Sequence, residues 1–202
     1  MSVYNLENHR FLEKSLESIT INQQIKPDEI VIVEDGIIGK DLLNVIELYK
    51  KNFNIISVKN DINLGLGKSL NKGLKYCSNE WVFRMDSDDI SKPNRFYEQI
   101  KFIKKNPEVV VFSSNINEFK DYPDDLKRFR KVPADYKKIL SFSVRRNPIN
   151  HMSAVFRKTE VVKVGGYKHI TGYEDYYLWL RLLQKNKIIL NQDISLIYAR
   201  IG

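Results

Sequence analysis

Three carboxylates crowd into four residues of the chain, at Asp86, Asp88 and Asp89, with Ser87 between the first two. Carboxylates this close repel one another unless something neutralises them. A hard cation can do so, because Mg²⁺ or Mn²⁺ typically takes one or two protein carboxylates together with substrate phosphates. An acidic turn that caps the helix predicted after Pro93 explains the spacing equally well.

A second pair of carboxylates, Glu34 and Asp35, follows another apolar run and precedes Gly36. Asp-Gly is first of all a turn dipeptide, although a carboxylate there could also accept a hydrogen bond from a nucleobase or a ribose. The segment from Asn63 to Lys68 has two glycines and a lysine before a predicted helix, as phosphate-binding loops do. It lacks the full P-loop spacing, which argues against an ATPase.

Glu174 and Asp175 stand at the predicted start of a helix, where the helix dipole stabilises carboxylates. That capping role is one interpretation. In the other, an Asp near a bound substrate acts as a general base and deprotonates an attacking hydroxyl. His151 lies in a polar turn before a predicted strand, a position that suits a structural histidine and also a role near a diphosphate or an acceptor.

Apolar runs and helical periodicity predict alternating strands and helices. Strands are predicted at residues 28–33, 54–58, 81–85, 109–112 and 152–157, with short ones at 188–190 and 196–198. Helices are predicted at residues 9–21, 42–49, 136–142 and 176–184, and after Gly65 and Pro93. This order indicates an α/β domain with a mixed, mainly parallel central sheet flanked by helices. Ligands bind beyond the carboxyl ends of such strands, where the acidic turns at 34–36 and 86–89 are expected.

The composition is that of a globular protein, with 202 residues, 43% hydrophobic, and a formal net charge of +8. No apolar stretch approaches the ~18–20 residues that cross a bilayer, and no signal peptide is recognisable. The single cysteine, Cys77, excludes an internal disulfide and favours a reducing, cytoplasmic location. The basic residues do not interleave with aromatic residues, which argues against a nucleic-acid partner. Their mild clusters allow peripheral association with the inner face of a membrane.

Several segments have the order and spacing of one known family. They are Ser2 to Asn5, Pro27 to Gly36, Asn63 to Gly73, Met85 to Asp89, Pro93 with Arg95 and Phe96, Gly165 to Tyr167, and Glu174 to Leu182. Over nearly the whole chain these segments resemble the family 2 glycosyltransferases of the GT-A fold, especially bacterial members that build polysaccharides and lipopolysaccharides. The resemblance implies an inverting, metal-dependent hexosyltransferase with Mn²⁺ or Mg²⁺ as cofactor. It would move a sugar from a nucleotide-diphosphate sugar, UDP-sugar favoured, to a hydroxyl of a glycan or a lipid-linked acceptor.

The resemblance also implies roles for donor-side residues. Val3 and Tyr4 would line the base pocket, and Asp35, with Glu34 beside it, would read the nucleobase. The remaining residues on the donor side would be Asn63, Lys68, Asn71, Ser87 and His151.

Metal binding and catalysis are implied at the two other acidic segments. Asp86 and Asp88 form the DXD motif of the family. Asp86 would contact the ribose or the sugar, and Asp88 would ligate the metal that bridges the diphosphate, with Asp86 as the second candidate ligand. Asp175 would be the catalytic base, and Glu174 would orient it or the acceptor.

The same resemblance predicts one GT-A domain over residues 1–202, in which 1–90 bind the nucleotide sugar and 91–202 bind the acceptor. Relatives usually begin with several more apolar residues, so the first strand is expected to be short and truncated here. They also commonly carry a further helical portion after the late strands. A truncated, catalytically weak nucleotide-sugar-binding module is therefore the alternative interpretation.

Overall fold

The computed structural model describes residues 1–202 and contains nine strands and seven α-helices. In chain order they are β1 (Ser2–Val3), α1 (His9–Ile19), β2 (Ile30–Glu34), α2 (Lys40–Lys50), β3 (Ile55–Lys59), α3 (Leu66–Tyr76), β4 (Trp81–Phe83), β5 (Ile90–Ser91), α4 (Arg95–Lys105), β6 (Val111–Phe119), β7 (Arg128–Arg130), α5 (Tyr136–Ser143), β8 (Val155–Arg157), α6 (Lys158–Lys163), α7 (Glu174–Gln184) and β9 (Ile189–Arg200).

The strands form two sheets. The first is parallel, in the order β1-β2-β3, and its first strand is short, as expected. The second has the order β4-β8-β6-β9-β5, with β7 paired to β6. Only β6 and β9 are parallel there, and the other pairs are antiparallel. The antiparallel pair of β6 and β7, for example, is joined by a turn, whereas a parallel pair needs a crossover connection. The α/β class is confirmed. Parallel pairing characterises the first sheet, and the second makes the fold mixed.

Two buried clusters hold these elements together. In the larger, Leu12 and Leu16 lie one turn apart on α1 and pack with Ile32 of β2 and Ile197 of β9. The second is built around Trp179 of α7, which is fully buried. Side chains from both ends of the chain thus share the larger core. None of the helices is both long enough and apolar enough to span a lipid bilayer.

The two short strands predicted near the C-terminus are one long strand, β9, so that prediction was wrong. The polar residues in its middle break the apolar pattern but do not break the strand. Asn191, for instance, is buried, accepts a hydrogen bond from the Ser113 N–H at 3.0 Å, and donates to the Pro148 carbonyl at 3.0 Å. A polar side chain that is satisfied in this way can occupy the interior of a sheet.

The strand predicted at 152–157 begins only at Val155. Residues His151–Ser153 form a 3₁₀ turn, because the Ser153 N–H bonds to the Asn150 carbonyl at 3.0 Å and the Ala154 N–H to the His151 carbonyl at 3.0 Å. The turn shortens the strand and directs His151 away from the sheet ladder.

Gly36 permits the close approach of two loops at the end of β2. Its φ is +86°, a conformation that glycine adopts at no steric cost. A Cβ at this position would lie 2.8 Å from the backbone nitrogen of Asn63. The turn after β2 therefore packs directly against the loop that leads to α3.

We expect Gly36→Ala to lower the free energy of unfolding by about 2–4 kcal/mol, as left-handed strain adds to overpacking. Gly172→Ala is the matched control, because Gly172 has a similar φ of +81° but a Cβ there meets nothing within 4 Å. Gly172→Ala should lower the free energy of unfolding only by the backbone strain, about 1–2 kcal/mol. Urea unfolding measures both, and equal losses would contradict the close packing inferred at Gly36.

Candidate active site

The acidic loop after β4 is anchored by a buried cation. Arg84 is only 4% exposed, and its guanidinium pairs with the Asp86 carboxylate. Burial opposes the charge on Arg84, but Asp86 and, more weakly, Asp89 outweigh that effect and raise the pKa of the arginine. The Ser15 hydroxyl donates to the Asp86 carbonyl at 2.8 Å and holds the loop backbone against α1.

The other acids of this loop are poorly neutralised. Burial and then the charge of Asp86 raise the pKa of Asp88. The same two causes, with Asp88 added, raise the pKa of Asp89 well above its usual range. Asp89 accepts a hydrogen bond from the Arg200 N–H at 2.7 Å through Oδ1, while its buried Oδ2 has no partner. Burial and the nearby Asp88 raise the pKa of Glu7 to about 7.

This excess of carboxylate fits a divalent cation. Asp86 and Asp88 stand on the loop, and the unpartnered Oδ2 of Asp89 marks charge that the chain itself does not satisfy. No group of three or more His, Cys, Asp or Glu side chains is arranged to hold a metal ion. Mg²⁺ or Mn²⁺ usually takes one or two carboxylates and completes its shell with substrate phosphates, so Asp86 and Asp88 are the residues that would hold it.

Asp35 organises the loop between β3 and α3. It is 4% exposed, and its carboxylate accepts hydrogen bonds from the Leu64 N–H at 2.7 Å, the Asn60 side chain at 2.9 Å and the Gly65 N–H at 3.0 Å. Burial opposes its charge, but these bonds outweigh burial and lower the pKa of Asp35. Much of its acceptor capacity is therefore used within the chain.

The neighbouring residues differ in what they can offer a ligand. The Glu34 carboxylate is also buried, accepts a hydrogen bond from the Ser57 hydroxyl, and lies 3.7 Å from the Lys59 ammonium. The Val3 side chain is fully buried in the core, so this residue can face a ligand only through its backbone. Tyr4 is 40% exposed, and its ring is free to contact a ligand.

The start of α3 offers donors to an anion. The first N–H groups of any helix lack intrahelical partners, and no side chain caps α3 at Gly65 to satisfy them. Lys68 is exposed in the first turn, and Asn63 is exposed in the preceding loop, where its Oδ1 accepts from the Gly65 N–H at 3.1 Å. Free N–H groups and a lysine at a helix start form an anion site.

Asn71, further along α3, is bonded to another part of the chain. Its amide donates to the Tyr167 carbonyl at 2.7 Å and accepts from the Tyr167 N–H at 2.8 Å. Gly166 has φ of +62°, and a Cβ there would collide with the Asn71 amide oxygen. Asn71 therefore fixes the backbone before α7, a role that its place in the sequence did not indicate.

The first turn of α7 carries Asp175 and Glu174. Asp175 accepts a hydrogen bond from the Asn147 side chain at 2.6 Å. Burial raises the pKa of Asp175, and this bond offsets the effect only in part. Glu174 is 8% exposed and packs closely on α3, because a Cβ at Gly67 would lie 3.0 Å from its Cγ.

His151 is neutral and bonded to Tyr167, with 3.0 Å between its Nε2 and the tyrosine hydroxyl. Burial and then the positive charge of Arg84 hold the pKa of His151 well below its usual value. Burial also raises the pKa of Tyr167. The pair consequently acts as uncharged hydrogen-bonding groups beside the acidic loop.

The positive charge of Arg84 acts on several segments of the chain. The charge of Arg84 acts on Asp86 and Asp88 in the acidic loop, on His151, and on Asp175 at the start of α7. These four predicted site residues therefore share one electrostatic environment. The residues predicted to bind the nucleobase form a second group around Asp35.

Sequence reasoning missed several residues of this site, namely Glu7, Arg84, Asn147, Tyr167 and Arg200. Arg84 had a local signal, because a charged residue inside an apolar strand run must find a partner. The others gave none, since each meets the site only through the folded chain.

Comparisons with known proteins show what the chain as a whole is similar to. A model of the family described as Glycosyl transferase family 2 matches residues 1–162. An uncharacterised glycosyltransferase of Haemophilus influenzae is 41% identical over the whole chain, which covers 74% of that protein. The UDP-Gal:alpha-D-GlcNAc-diphosphoundecaprenol beta-1,3-galactosyltransferase of Escherichia coli is 40% identical over 91% of this chain and 66% of its own length.

Two solved structures share the fold at low identity. Staphylococcus aureus TarS 1-349 in complex with UDP-GlcNAc superposes with a TM-score of 0.77 at 19% identity, over 100% of this chain and 58% of that one. The mannosyltransferase PcManGT of Pyrobaculum calidifontis, in complex with GDP-Man and Mn²⁺, has a TM-score of 0.75 at 15% identity. The match covers 100% of this chain and 56% of that one. The chain thus spans little more than half of these two structures.

We expect the stability contributed by Asp35 to depend on pH. Its folded-state pKa is depressed, so its ionised form stabilises the folded chain above the unfolded pKa, and this contribution is lost as pH falls through the folded pKa. Asp35→Asn should therefore be less stable than the native chain near pH 7, with the difference shrinking towards pH 3. Urea unfolding across this range measures it, and a constant difference would contradict the assignment.

Proposed function

The chain belongs to glycosyltransferase family 2, and we propose that it moves a sugar from a nucleotide-diphosphate sugar to a hydroxyl of a glycan or lipid-linked acceptor, with inversion at the anomeric carbon. The observation that carries this proposal is that buried Arg84 pairs with Asp86 of the acidic loop while its charge also acts on Asp175 at the start of α7. A donor diphosphate and an acceptor hydroxyl must be held side by side for such a transfer, and these two acidic groups suit the two tasks.

On the donor side, the proposal places the base beside Tyr4 and Asp35 and the backbone of Val3. Asn63, Lys68 and the open N-terminus of α3 face the diphosphate, where their positive character favours an anion. Asn71 and Glu34 act indirectly, since their polar groups bond within the chain. A UDP-sugar is the favoured donor, because the Escherichia coli relative and the TarS complex carry UDP-sugars in their descriptions.

Asp88, with Asp86, would hold Mn²⁺ or Mg²⁺ against the donor, and Ser87 supports the loop between them. When bound, such a cation neutralises the charge that develops on the leaving diphosphate. The under-neutralised carboxylates of the loop support this assignment, as does the Mn²⁺ in the complex of the structurally similar mannosyltransferase.

Asp175 is proposed as the general base. The proton of the acceptor hydroxyl passes to its carboxylate while the acceptor oxygen attacks the anomeric carbon. The bond from that carbon to the diphosphate oxygen breaks, and the diphosphate leaves with the electron pair. The raised pKa makes Asp175 a better proton acceptor than an exposed Asp, and Asn147 orients it. Glu174 supports the helix start from its buried contact with α3, and the neutral pair of His151 and Tyr167 can hydrogen-bond the acceptor or the sugar.

Residues 1–90 would then supply most of the donor site and residues 91–202 the acceptor site. The description of the Escherichia coli relative names a diphosphoundecaprenol acceptor, which supports a lipid-linked acceptor and work at the inner face of a membrane. A cytoplasmic location belongs to the same proposal.

Asp88→Ala tests the donor site. Loss of an outer-shell partner alone weakens metal sites by about 10- to 100-fold, so loss of a ligand should weaken Mn²⁺-dependent UDP binding by at least about 10-fold. Isothermal titration calorimetry with UDP, with and without Mn²⁺, measures the effect. Asp41→Ala, at an exposed position on α2, is the control and should bind normally. Equal binding without Mn²⁺ would contradict the role of Asp88.

Asp175→Asn tests the general base. It keeps an oxygen that can accept from Asn147 but cannot take a proton, so UDP release should fall by about 10²- to 10⁴-fold while Mn²⁺-dependent UDP binding is retained. UDP-Gal with a GlcNAc-diphospho-lipid is the probe reaction. Unchanged turnover would exclude Asp175 as the base.

Asn147→Ala tests whether Asn147 sets the pKa of Asp175, the proposed general base. The ionised form of Asp175 is the active one, so the rate should fall as pH drops through its raised pKa. The Asn147 bond favours the ionised form. Its removal should therefore move the acidic limb of the pH–rate profile to higher pH. A lower rate without such a shift would mean that Asn147 does not set the pKa of Asp175.

A further inference from the structure

Two adjacent arginines stand in the turn that follows α5. Arg145 and Arg146 are exposed, and the backbone N–H of each bonds to the Phe142 carbonyl, at 3.1 and 3.0 Å respectively. None of the ion pairs of the chain involves either arginine, whereas Lys138 of the same helix pairs with Asp135. The two guanidinium groups therefore carry positive charge that no carboxylate of the chain pairs with.

This turn is bonded directly to the first turn of α7. The Tyr176 hydroxyl donates to the Ser143 carbonyl at 2.5 Å, and the Asn147 side chain donates to the Asp175 carboxylate at 2.6 Å. Asn147 follows Arg146 immediately, so the Cα atoms of these two residues are about 3.8 Å apart. The arginine pair consequently lies beside the carboxylate that is the proposed general base.

Two other cations near the start of α7 are already engaged within the chain. Arg84 is buried and pairs with Asp86. The Lys168 ammonium lies against Gly165, where a Cβ would approach it to 3.0 Å. A ligand anion that lies near Asp175 would therefore find unpaired positive charge in the turn after α5.

Exposed apolar side chains adjoin the arginine pair. Val144 is 79% exposed, and Leu140 lies one turn earlier on the same face of α5 and is 39% exposed. Tyr173, which directly precedes α7, is 61% exposed. Exposed apolar groups that are rimmed by polar residues mark interaction sites. Here their basic neighbours suit a ligand in which a phosphate group is followed by a hydrocarbon chain.

We propose that Arg145 and Arg146 bind the diphosphate of a lipid-linked acceptor, and that the lipid chain leaves over Val144 and Leu140. This inference rests on the proposed function and names the contacts that its acceptor makes. The attacking hydroxyl at Asp175 and the diphosphate are attached to different atoms of one sugar ring, so their binding groups must lie about a ring apart. The turn after α5 meets this requirement, and guanidinium groups bind phosphate oxygens through paired, charge-assisted hydrogen bonds.

A purely structural role for the arginines needs a matched control, because cations at the end of any helix interact favourably with its dipole. Lys104 and Lys105 are exposed in the last turn of α4. Lys104 lines the same cavity as Pro27 and Asp28, which precede β2. The lysine pair therefore lies at the end of the sheet opposite to the acidic turns. Lys104→Ala with Lys105→Ala removes the same charge from the same kind of position, far from the candidate active site.

Two soluble acceptor analogues test the proposal. GlcNAc-diphospho-octyl carries the diphosphate between its sugar and a short chain, and octyl GlcNAc lacks the diphosphate. The double variant Arg145→Ala with Arg146→Ala should bind the first analogue about 10-fold more weakly than the native chain, because it loses charge-assisted hydrogen bonds. It should bind octyl GlcNAc as the native chain does, and the lysine control should bind both analogues normally. Isothermal titration calorimetry measures all of these affinities.

Three results would overturn the proposal. They are an equal loss of affinity for both analogues, an unchanged affinity of the arginine variant for GlcNAc-diphospho-octyl, and no binding of that analogue by the native chain. If the alanine variant does not fold, Arg145→Gln with Arg146→Gln gives the second test. Glutamine keeps a long polar side chain and a good helix propensity but has no charge.

Vesicles distinguish the acceptor diphosphate from the headgroups of anionic lipids. Phosphatidylglycerol vesicles without any acceptor attract each nearby basic residue, so both double variants should lose some affinity in a sedimentation assay. The arginine variant should lose no more than the lysine control. A larger loss would overturn the proposal in favour of a general contact between this turn and an anionic bilayer.

The failure of this proposal can be told from the failure of the proposed function. Mn²⁺-dependent UDP binding should be the same in the arginine variant and the native chain. In the reaction of UDP-Gal with GlcNAc-diphospho-octyl, the KM for the acceptor should rise about 10-fold, whereas the KM for UDP-Gal should not change. Binding of the acceptor analogue without transfer would contradict the proposed function alone. Transfer with an unchanged acceptor KM would contradict the role of the arginines alone.

Discussion

The candidate active site depends on buried positive charge. Arg84 and Arg95 are both buried, and a guanidinium nitrogen of Arg95 donates to the Arg84 carbonyl at 2.6 Å. Burial is the main cause that lowers the pKa of Arg95 to about 9, and repulsion from Arg84 adds to it. Such charges destabilise a fold unless carboxylates lie nearby. Asp86 and Asp89 meet that need, so the acidic loop has an electrostatic role in the fold besides any role towards a ligand.

The same constraint leaves part of the negative charge of the loop without a partner inside the chain. Asp86 is paired with Arg84, while Asp88 and Asp89 retain raised pKa values because burial and mutual repulsion exceed what the arginines neutralise. In the proposed function this residual charge would favour a divalent cation whose coordination donor phosphates complete. The charges that stabilise the fold are thus the same few that the proposed cation site would use.

Side chains that bond to backbone hold the surrounding loops in place. Asp35 holds the loop before α3 through the N–H groups of Leu64 and Gly65, and Asn71 holds the segment before α7 through both backbone groups of Tyr167. These bonds fix the loops before any ligand arrives. Such preorganisation lowers the conformational entropy that binding would otherwise cost.

The sequence by itself determined the α/β class, most helices and strands, and the acidic turns after β2 and β4. These are local properties, because periodicity and turn chemistry act over a few residues. It did not determine that Asn191 continues β9, that Asn71 bonds to Tyr167, or that the charge of Arg84 acts on Asp175 as well as on Asp86. Those interactions connect residues far apart in the chain, and only packing decides which distant polar groups satisfy one another. The acidic loop shows this division. Its carboxylates can be identified from the sequence, whereas only the fold brings them their partners, Arg84 and the backbone N–H of Arg200.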